Sequence, residues 1–249
     1  MSASLQERDG VARVLDGQEL RHEREDAHAP QEPRVWAEAV LAGEKQVLEM
    51  IAGGRALGSI LETLCKVAET ISGSLCSILI LDAKGERLCQ GIAPSLPKSY
   101  LDQFYGHAIA SCWGPCGTAA FSKQQVIAAD IAADPLWERC RGVMLPHGLQ
   151  ACWSTPILSS DHNVLGSFAI LSREPCRPTP KDQKLIERFT HLASIAIERT
   201  RGEEALRRSE AYLTEAQRLS RTGSFGWNVS NGEIICRRRL FPSLATNGR

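Results

Sequence analysis

Apolar residues recur three and four apart along residues 45–72: Val47, Leu48 and Ile51, then Leu57, Ile60, Leu61, Leu64 and Val67. That spacing predicts an amphipathic helix. Gly53 and Gly54 weaken or break it, each costing about 1 kcal/mol relative to alanine. The period then drops to two. LCSILILD (75–82) and RLCQGIA (87–93) read as strands joined by the turn residues AKGE, a hairpin. Pro94 and Pro97 close the second strand, and a short helix is expected over 98–108. A Gly/Pro-rich stretch, CWGPCGTAAF, leads into a third strand, QVIAAD (125–130). A helix around 135–145 is announced by Asp134 as cap and Pro135 in the first turn. ACWSTPIL (151–158) and VLGSFAIL (164–171) supply two further strands, joined by the polar turn SSDHN.

Thr179, Pro180 and Asp182 mark the start of a last helix, with the acid three residues after the cap. Leu185, Leu192, Leu206 and Leu213 fall seven apart, with Arg199 in the gap and Phe189 and Ala196 in the companion seam. Glu203/Arg207 and Glu204/Arg208 stand four apart in the favourable order. A helix running to about 220 with this stripe suggests a short parallel coiled coil. Beyond it, Phe225, Trp227 and Val229 alternate with small or polar residues, and Asn231-Gly232 is a hairpin turn. A lone hairpin buries too little to be stable, and the basic, irregular CRRRLFPSLATNGR that follows reads as a truncation. Residues 1–44 open with mixed charge and no apolar periodicity, the pattern of a frayed or disordered leader.

Composition narrows the class. In 249 residues, 29 Lys+Arg balance 29 Asp+Glu, and 43% of positions are hydrophobic. That share supports a buried core, while zero net charge removes the electrostatic ground for nucleic-acid binding. No apolar run approaches the ~20 residues of a membrane span, and no signal-peptide pattern opens the chain. The reading is a cytoplasmic globular protein. Nine scattered cysteines are an odd number, so reduced thiols rather than a disulfide scaffold are expected.

The runs CGTAAFSKQQVIAADIAADPLW (116–137) and GLQACWSTPILSSDHNVLGSFAIL (148–171) carry a family resemblance. With the order of elements over 45–200, they resemble the GAF domains of bacterial sensory and two-component proteins. Residues 209–235 resemble the start of a PAS domain. The fold implied is α+β: a GAF-type antiparallel sheet with helices packed on one face, a long C-terminal signalling helix, and an incomplete PAS hairpin. The implied organisation is a leader (1–44), a GAF domain (45–200), a helical coiled-coil linker (201–222) and a truncated PAS start with a basic tail (223–249). The resemblance also implies a homodimer that relays binding of an unidentified small molecule through its helices to an absent output, most naturally a histidine kinase; the alternatives are a GAF-type thiol enzyme and a ligand-free interaction domain. GAF ligands range over nucleotides, haem, bilins and metabolites, so the cofactor stays unknown. The pocket lining implied on the loop-rich side is Trp113, Cys116, Asp130, Trp137, Cys140, Trp153 and Phe168.

Catalytic alternatives find less support. Cys112 and Cys116 are separated by three residues, unlike the two of a thioredoxin motif, and have no zinc-like partner pair. Cys116 precedes GTAA, a helix start that would favour its thiolate. Cys116-Gly117 also resembles the Cys-Gly pair of free-methionine-sulfoxide reductases, which are GAF enzymes. Their His-x-x-Cys-Asp segment is not matched by His147-Gly-Leu-Gln-Ala-Cys152-Trp. No Cys-His dipeptide offers a bilin attachment site, and His107 and His147 are the isolated candidates for haem. Gly53-Gly-Arg-Ala-Leu-Gly58-Ser59 lacks the lysine of a phosphate loop. His191 sits inside the last GAF helix and lacks a kinase phosphoacceptor's flanks. No ATP-binding box of a kinase is present, so no enzyme activity is expected of this chain.

Overall fold

The structure is a computed structural model that describes residues 31–109, 114–220, 224–228 and 233–237. The leader before residue 31, Trp113, the Asn231-Gly232 turn and the basic tail from residue 238 lie outside the described residues. The chain divides into two compact units, residues 1–194 and 195–249.

In the first unit a pair of helices comes first, α1 (Gln31–Ala52) and α2 (Leu57–Ser72). The helix expected over 45–72 is therefore two helices. Gly54, at φ 65°, takes the left-handed conformation that ends α1. Helix also begins at Gln31, well inside the stretch expected to be a leader. Val40, Val47 and Ile51 of α1 are buried, whereas Leu41 and Leu48 are exposed. Gly43 gives the reason α1 can lie so close: a Cβ there would strike Val67 and touch the Phe189 ring.

Five strands follow: β1 (Leu75–Leu81), β2 (Leu88–Ile92), β3 (Val126–Ala128), β4 (Ala151–Leu158) and β5 (Val164–Ser172). They form one sheet in the order β2-β1-β5-β4-β3, and each pairing is antiparallel. Side chains alternate across it. Cys76, Ile78, Phe168, Ile170 and Trp153 share one face through the pairs Cys76↔Ile170, Ile78↔Phe168 and Trp153↔Ile170. Ser77, Leu79, Ala169, Leu171, Cys152 and Ser154 share the other.

The first face packs under helices. α2 buries Ile60, Leu61, Leu64, Cys65 and Ala68. The start of α6 (Pro180–Ser220) buries Leu185, Ile186, Phe189 and Leu192. Each such side chain contributes roughly 1.5–3 kcal/mol when fully buried. Arg188 of α6 meets Glu44 of α1 at 3.1 Å. The predicted cap is in place: the Thr179 N–H donates to Asp182 Oδ2 at 2.8 Å, and the Asp182 N–H donates to Thr179 Oγ1 at 3.2 Å.

The second face lies under shorter elements: α3 (Lys98–Leu101), α4 (Pro115–Ser122), a 3-10 turn (Pro135–Trp137) and α5 (Glu138–Met144). The helix expected over 98–108 stops at Leu101, and turns carry the chain on to Gly106.

The second unit holds the rest of α6 and a two-stranded antiparallel hairpin, β6 (Ser224–Asn228) with β7 (Glu233–Arg237). Arg199 pairs with Glu203 at 2.7 Å. Leu206 and Leu213, the heptad positions of this segment, are 62% and 56% exposed. No helix among the described residues is long and apolar enough to cross a membrane.

Candidate functional site

The second sheet face carries serines where buried strands usually carry apolar side chains. Ser77 pairs with Ala169, and Ala169 with Ser154, so these three form one row across β1, β5 and β4. Ser167 stands two residues from Ala169 and thus on the same face. Ser77, Ser154 and Ser167 are fully buried, and their hydroxyls close no conventional hydrogen bond among the described residues. An unpartnered buried hydroxyl costs about 1–3 kcal/mol, so three in one patch call for a physical reason.

Helix α4 sits over this patch. Gly114 precedes it at φ 102°, a conformation that disfavours any side chain, and a Cβ there would press on Cys140 at 3.2 Å. Pro115 takes the first helical position, where its missing N–H costs nothing. The Thr118 N–H and hydroxyl both donate to the Gly114 carbonyl, at 3.0 and 2.8 Å. This start delivers Cys116 onto the serine patch. Its sulfur faces the Cys152 thiol first, then the Ser154 and Ser167 hydroxyls and its own backbone N–H. That N–H is one of the four donors a helix start leaves unpaired. Together these donors hold the Cys116 pKa below the ordinary thiol value, although burial acts the other way. Cys152 is pushed well up, first by its bond to Cys116 and then by burial.

Tyr100 from α3 completes the wall. Burial pushes its phenol well up, and the Ser77 hydroxyl faces its oxygen. Its ring meets Phe104 and His147 edge-on, at centroid distances of 5.0 and 5.6 Å. Burial also pushes the Cys140 thiol up to about 11. That thiol donates to the Trp137 carbonyl at 3.2 Å. The Trp137 indole N–H is buried with no partner among the described residues.

Of the residues expected to line a pocket, Cys116, Trp137 and Cys140 belong to this one buried cluster. Asp130 lies half-buried, and its Oδ1 accepts the Ala132 and Ala133 N–H groups at 2.9 Å each, so it shapes the turn that leads to Trp137. Trp153 and Phe168 are not brought to the cluster. The register puts both on the helix-covered face, because one residue along a strand reverses the direction of the side chain. Trp113 lies outside the described residues. The reading of the residues missed Ser77, Ser154, Ser167, Cys152 and Tyr100. The signal available for the serines was a hydroxyl inside each of three apolar strand runs, LCSILIL, ACWSTPIL and VLGSFAILS.

On the opposite face, an open groove of about 350 Å³ runs between β4 and α6, lined by Gln125, Thr155, Gln183, Ile186, Glu187 and Thr190. Among the described residues no three His, Cys, Asp or Glu side chains converge to hold a metal ion.

An antiparallel sheet with long helices on one face and short loop-borne helices over a polar-dotted patch on the other defines a class of small α+β domain. Residues 54–198, more than half of the chain, match the GAF domain family, and the chain belongs to it. Over 178 residues it is 39% identical to the methyl sulfide methyltransferase-associated sensor of Methanosarcina acetivorans, a match covering 71% of this chain and 18% of that protein. The chain thus spans less than a fifth of that relative's length. Among solved structures, it resembles free methionine-R-sulfoxide reductase from Neisseria meningitidis in complex with its substrate. That likeness has a TM-score of 0.52 and 16% identity over 70% of this chain and 95% of the other. It also resembles the GAF domain of a phosphoenolpyruvate-protein phosphotransferase from Coxiella burnetii, with a TM-score of 0.52 and 18% identity over 68% and 98%. At these identities the likeness is one of fold.

Proposed function

We propose that this chain is a cytoplasmic sensory module that binds a small molecule against the serine patch and relays binding through α6. The patch itself carries the reading. Three buried serine hydroxyls and the Trp137 N–H close no conventional hydrogen bond among the described residues, beside an apolar cluster. A ligand that hydrogen-bonds to them would recover about 1–3 kcal/mol for each group satisfied. The patch is surrounded by buried apolar and aromatic side chains, Tyr100 and Trp137 among them, so a compact ligand with apolar area to match them fits best.

The route of relay follows from strand alternation. Ser154 and Thr155 are consecutive in β4; the first faces the patch and the second lines the groove against α6. A shift of β4 at one is felt at the other, and a packed helix responds between discrete arrangements. Leu206 and Leu213, exposed and seven apart, fit a second copy of the chain in a parallel helical pair. The output would be supplied by domains beyond this chain, a PAS domain and a histidine kinase in the reading that residues 209–235 favour. The relationship to a protein named as a sensor supports the same direction.

Native mass spectrometry of protein purified from its host, with an absorption spectrum of the same sample, tests this. The expected result is a dimer carrying a stoichiometric small molecule that is lost on denaturation. A ligand-free monomer at every accessible concentration would remove both the sensing and the relay.

A further inference from the structure

We propose that the groove between β4 and α6 is a ligand site distinct from the serine patch, and that it takes a short primary amine in its ammonium form. The inference holds whether or not a ligand occupies the patch.

Both walls of the groove are polar where packing would favour apolar side chains. Gln183, Ile186, Glu187 and Thr190 stand at i, i+3, i+4 and i+7 of α6 and form one stripe of that helix. An amphipathic helix fills such a stripe with apolar residues when it lies on a sheet, yet three of these four are polar. Opposite them, Thr155 lies on the helix-covered face of β4, two residues beyond Trp153. Gln125 stands just ahead of β3, and its Nε2 donates to Thr155 Oγ1 at 3.0 Å. That bond orients the amide and leaves its oxygen for a donor. Thr190 is the second mark of a site. Thr63, Thr70, Thr200 and Thr214 each donate to the carbonyl four residues back, at 2.8–2.9 Å. Thr190 makes no such bond. It is 8% exposed, and its hydroxyl is enclosed with no partner among the described residues. One step of χ1 exchanges its methyl and hydroxyl and gives a bound donor an acceptor at the inner wall.

Charge selects the ligand. Glu187 is the one charged side chain among the six residues that line the groove. It forms no ion pair among the described residues, and the adjacent Arg188 is already held by Glu44 at 3.1 Å. The remaining polar lining groups are amides and hydroxyls, which accept as well as donate. The groove therefore offers oxygens to a cation and no cation to an anion. Among the described residues no aromatic ring lines it, so a quaternary ammonium finds none of the ring faces that bind one. The N–H donors of a primary ammonium, by contrast, can each meet an oxygen. Ile186 offers apolar contact to a methylene chain, and a volume of about 350 Å³ sits near the low end for small-molecule sites, so that chain is short. A molecule held there joins the sheet edge, through Gln125 and Thr155, to α6, through Gln183 and Glu187, and so pins the start of the helix to the sheet.

The test is titration of the isotope-labelled full chain with propylamine and with ethanolamine at constant ionic strength, read from backbone amide NMR shifts. The expected result is saturable shifts at Gln125, Thr155 and residues 183–190, with Kd in the millimolar range or below. Propanol and tetramethylammonium at the same concentrations should leave those residues in place. Glu187→Gln should weaken binding at least about tenfold. Thr190→Val, which keeps the shape and drops the hydroxyl, should weaken it about threefold. The proposal is overturned if neither amine shifts these residues, or if propanol or tetramethylammonium shifts them equally. Because Glu187 is exposed, Glu187→Gln keeps the fold, and unchanged affinity in it overturns the proposal by itself. Shifts at Ser77, Ser154 and Ser167 instead would put the amine on the patch, which overturns the groove and leaves the sensory reading standing. Tighter binding of a blocked lysine than of either amine would overturn the free amine in favour of a partner's lysine side chain.

Discussion

Replacing Ser154 or Ser167 by alanine should stabilise the ligand-free domain. Each hydroxyl is fully buried and closes no conventional hydrogen bond among the described residues. Holding it there costs about 1–3 kcal/mol. Alanine removes the one oxygen and leaves a void smaller than a methyl group, worth under ~1 kcal/mol against the change. The net expectation is about 1–2 kcal/mol of added stability for each single variant, or a rise of roughly 2–8 °C in Tm for a domain of this size. The double variant should give less than the sum, because both serines face the same sulfur. Urea unfolding of reduced protein, followed by tryptophan fluorescence, reads this as a higher midpoint at unchanged slope. The same variants should lose whatever small molecule the wild-type protein carries from its host. A lower midpoint in both variants would refute the reasoning, since it would mean that the hydroxyls hold the sheet together and are not held for a ligand.

Gly166→Ala should cost about 3 kcal/mol or more, because the added Cβ would collide with the Leu79 carbonyl of the neighbouring strand; a urea midpoint near wild type would contradict the packing described. Thr179→Ala removes the hydroxyl half of the reciprocal cap of α6, leaving the residue-179 N–H on Asp182, and should lower stability by about 1 kcal/mol in the same assay, whereas Thr179→Ser should recover most of it. Stability should fall as pH rises through and beyond the ordinary thiol value of 9.0. Cys65, Cys76, Cys140 and Cys152 have raised pKa values in the folded chain, and so does Tyr100, so the unfolded chain ionises first and gains. Cys116, lowered on folding, acts in the opposite sense but is one group against five. Urea midpoints at about pH 8 and pH 10 should therefore decline, and a flat or rising midpoint would show that these groups are hydrated.

Much of the chain could be read from its periodicity. The strands over 75–81, 151–158 and 164–172 and the Thr179 cap lie where apolar alternation and capping chemistry put them, because both are set by residues near in sequence. The family, too, was legible in two runs of residues. Helix α1 was not. Its buried positions, Val40 and Val47, stand seven apart across Gly43, and what stabilises the helix is the seat that Val67 and Phe189 provide, which lies far along the chain. Likewise the helix expected over 98–108 ends at Leu101, after one turn, and Tyr100 is buried in the loop-side cluster rather than carried on a longer helix.

The candidate site shows the same division more sharply. Cys116 and Trp137 could be singled out as residues, but Trp153 and Cys152, or Phe168 and Ser167, are neighbours that only the pairing register separates. A strand's side chains alternate with a period of two, so a single step decides whether a tryptophan or a thiol meets the patch. By itself the sequence determined the strands, the capped last helix and the family, since those rest on local propensity and pattern. The tertiary structure decided which serines share a face and which thiols join the cluster beside them. Those are properties of pairing between strands and of one short helix laid across them, and no local stretch of residues contains them.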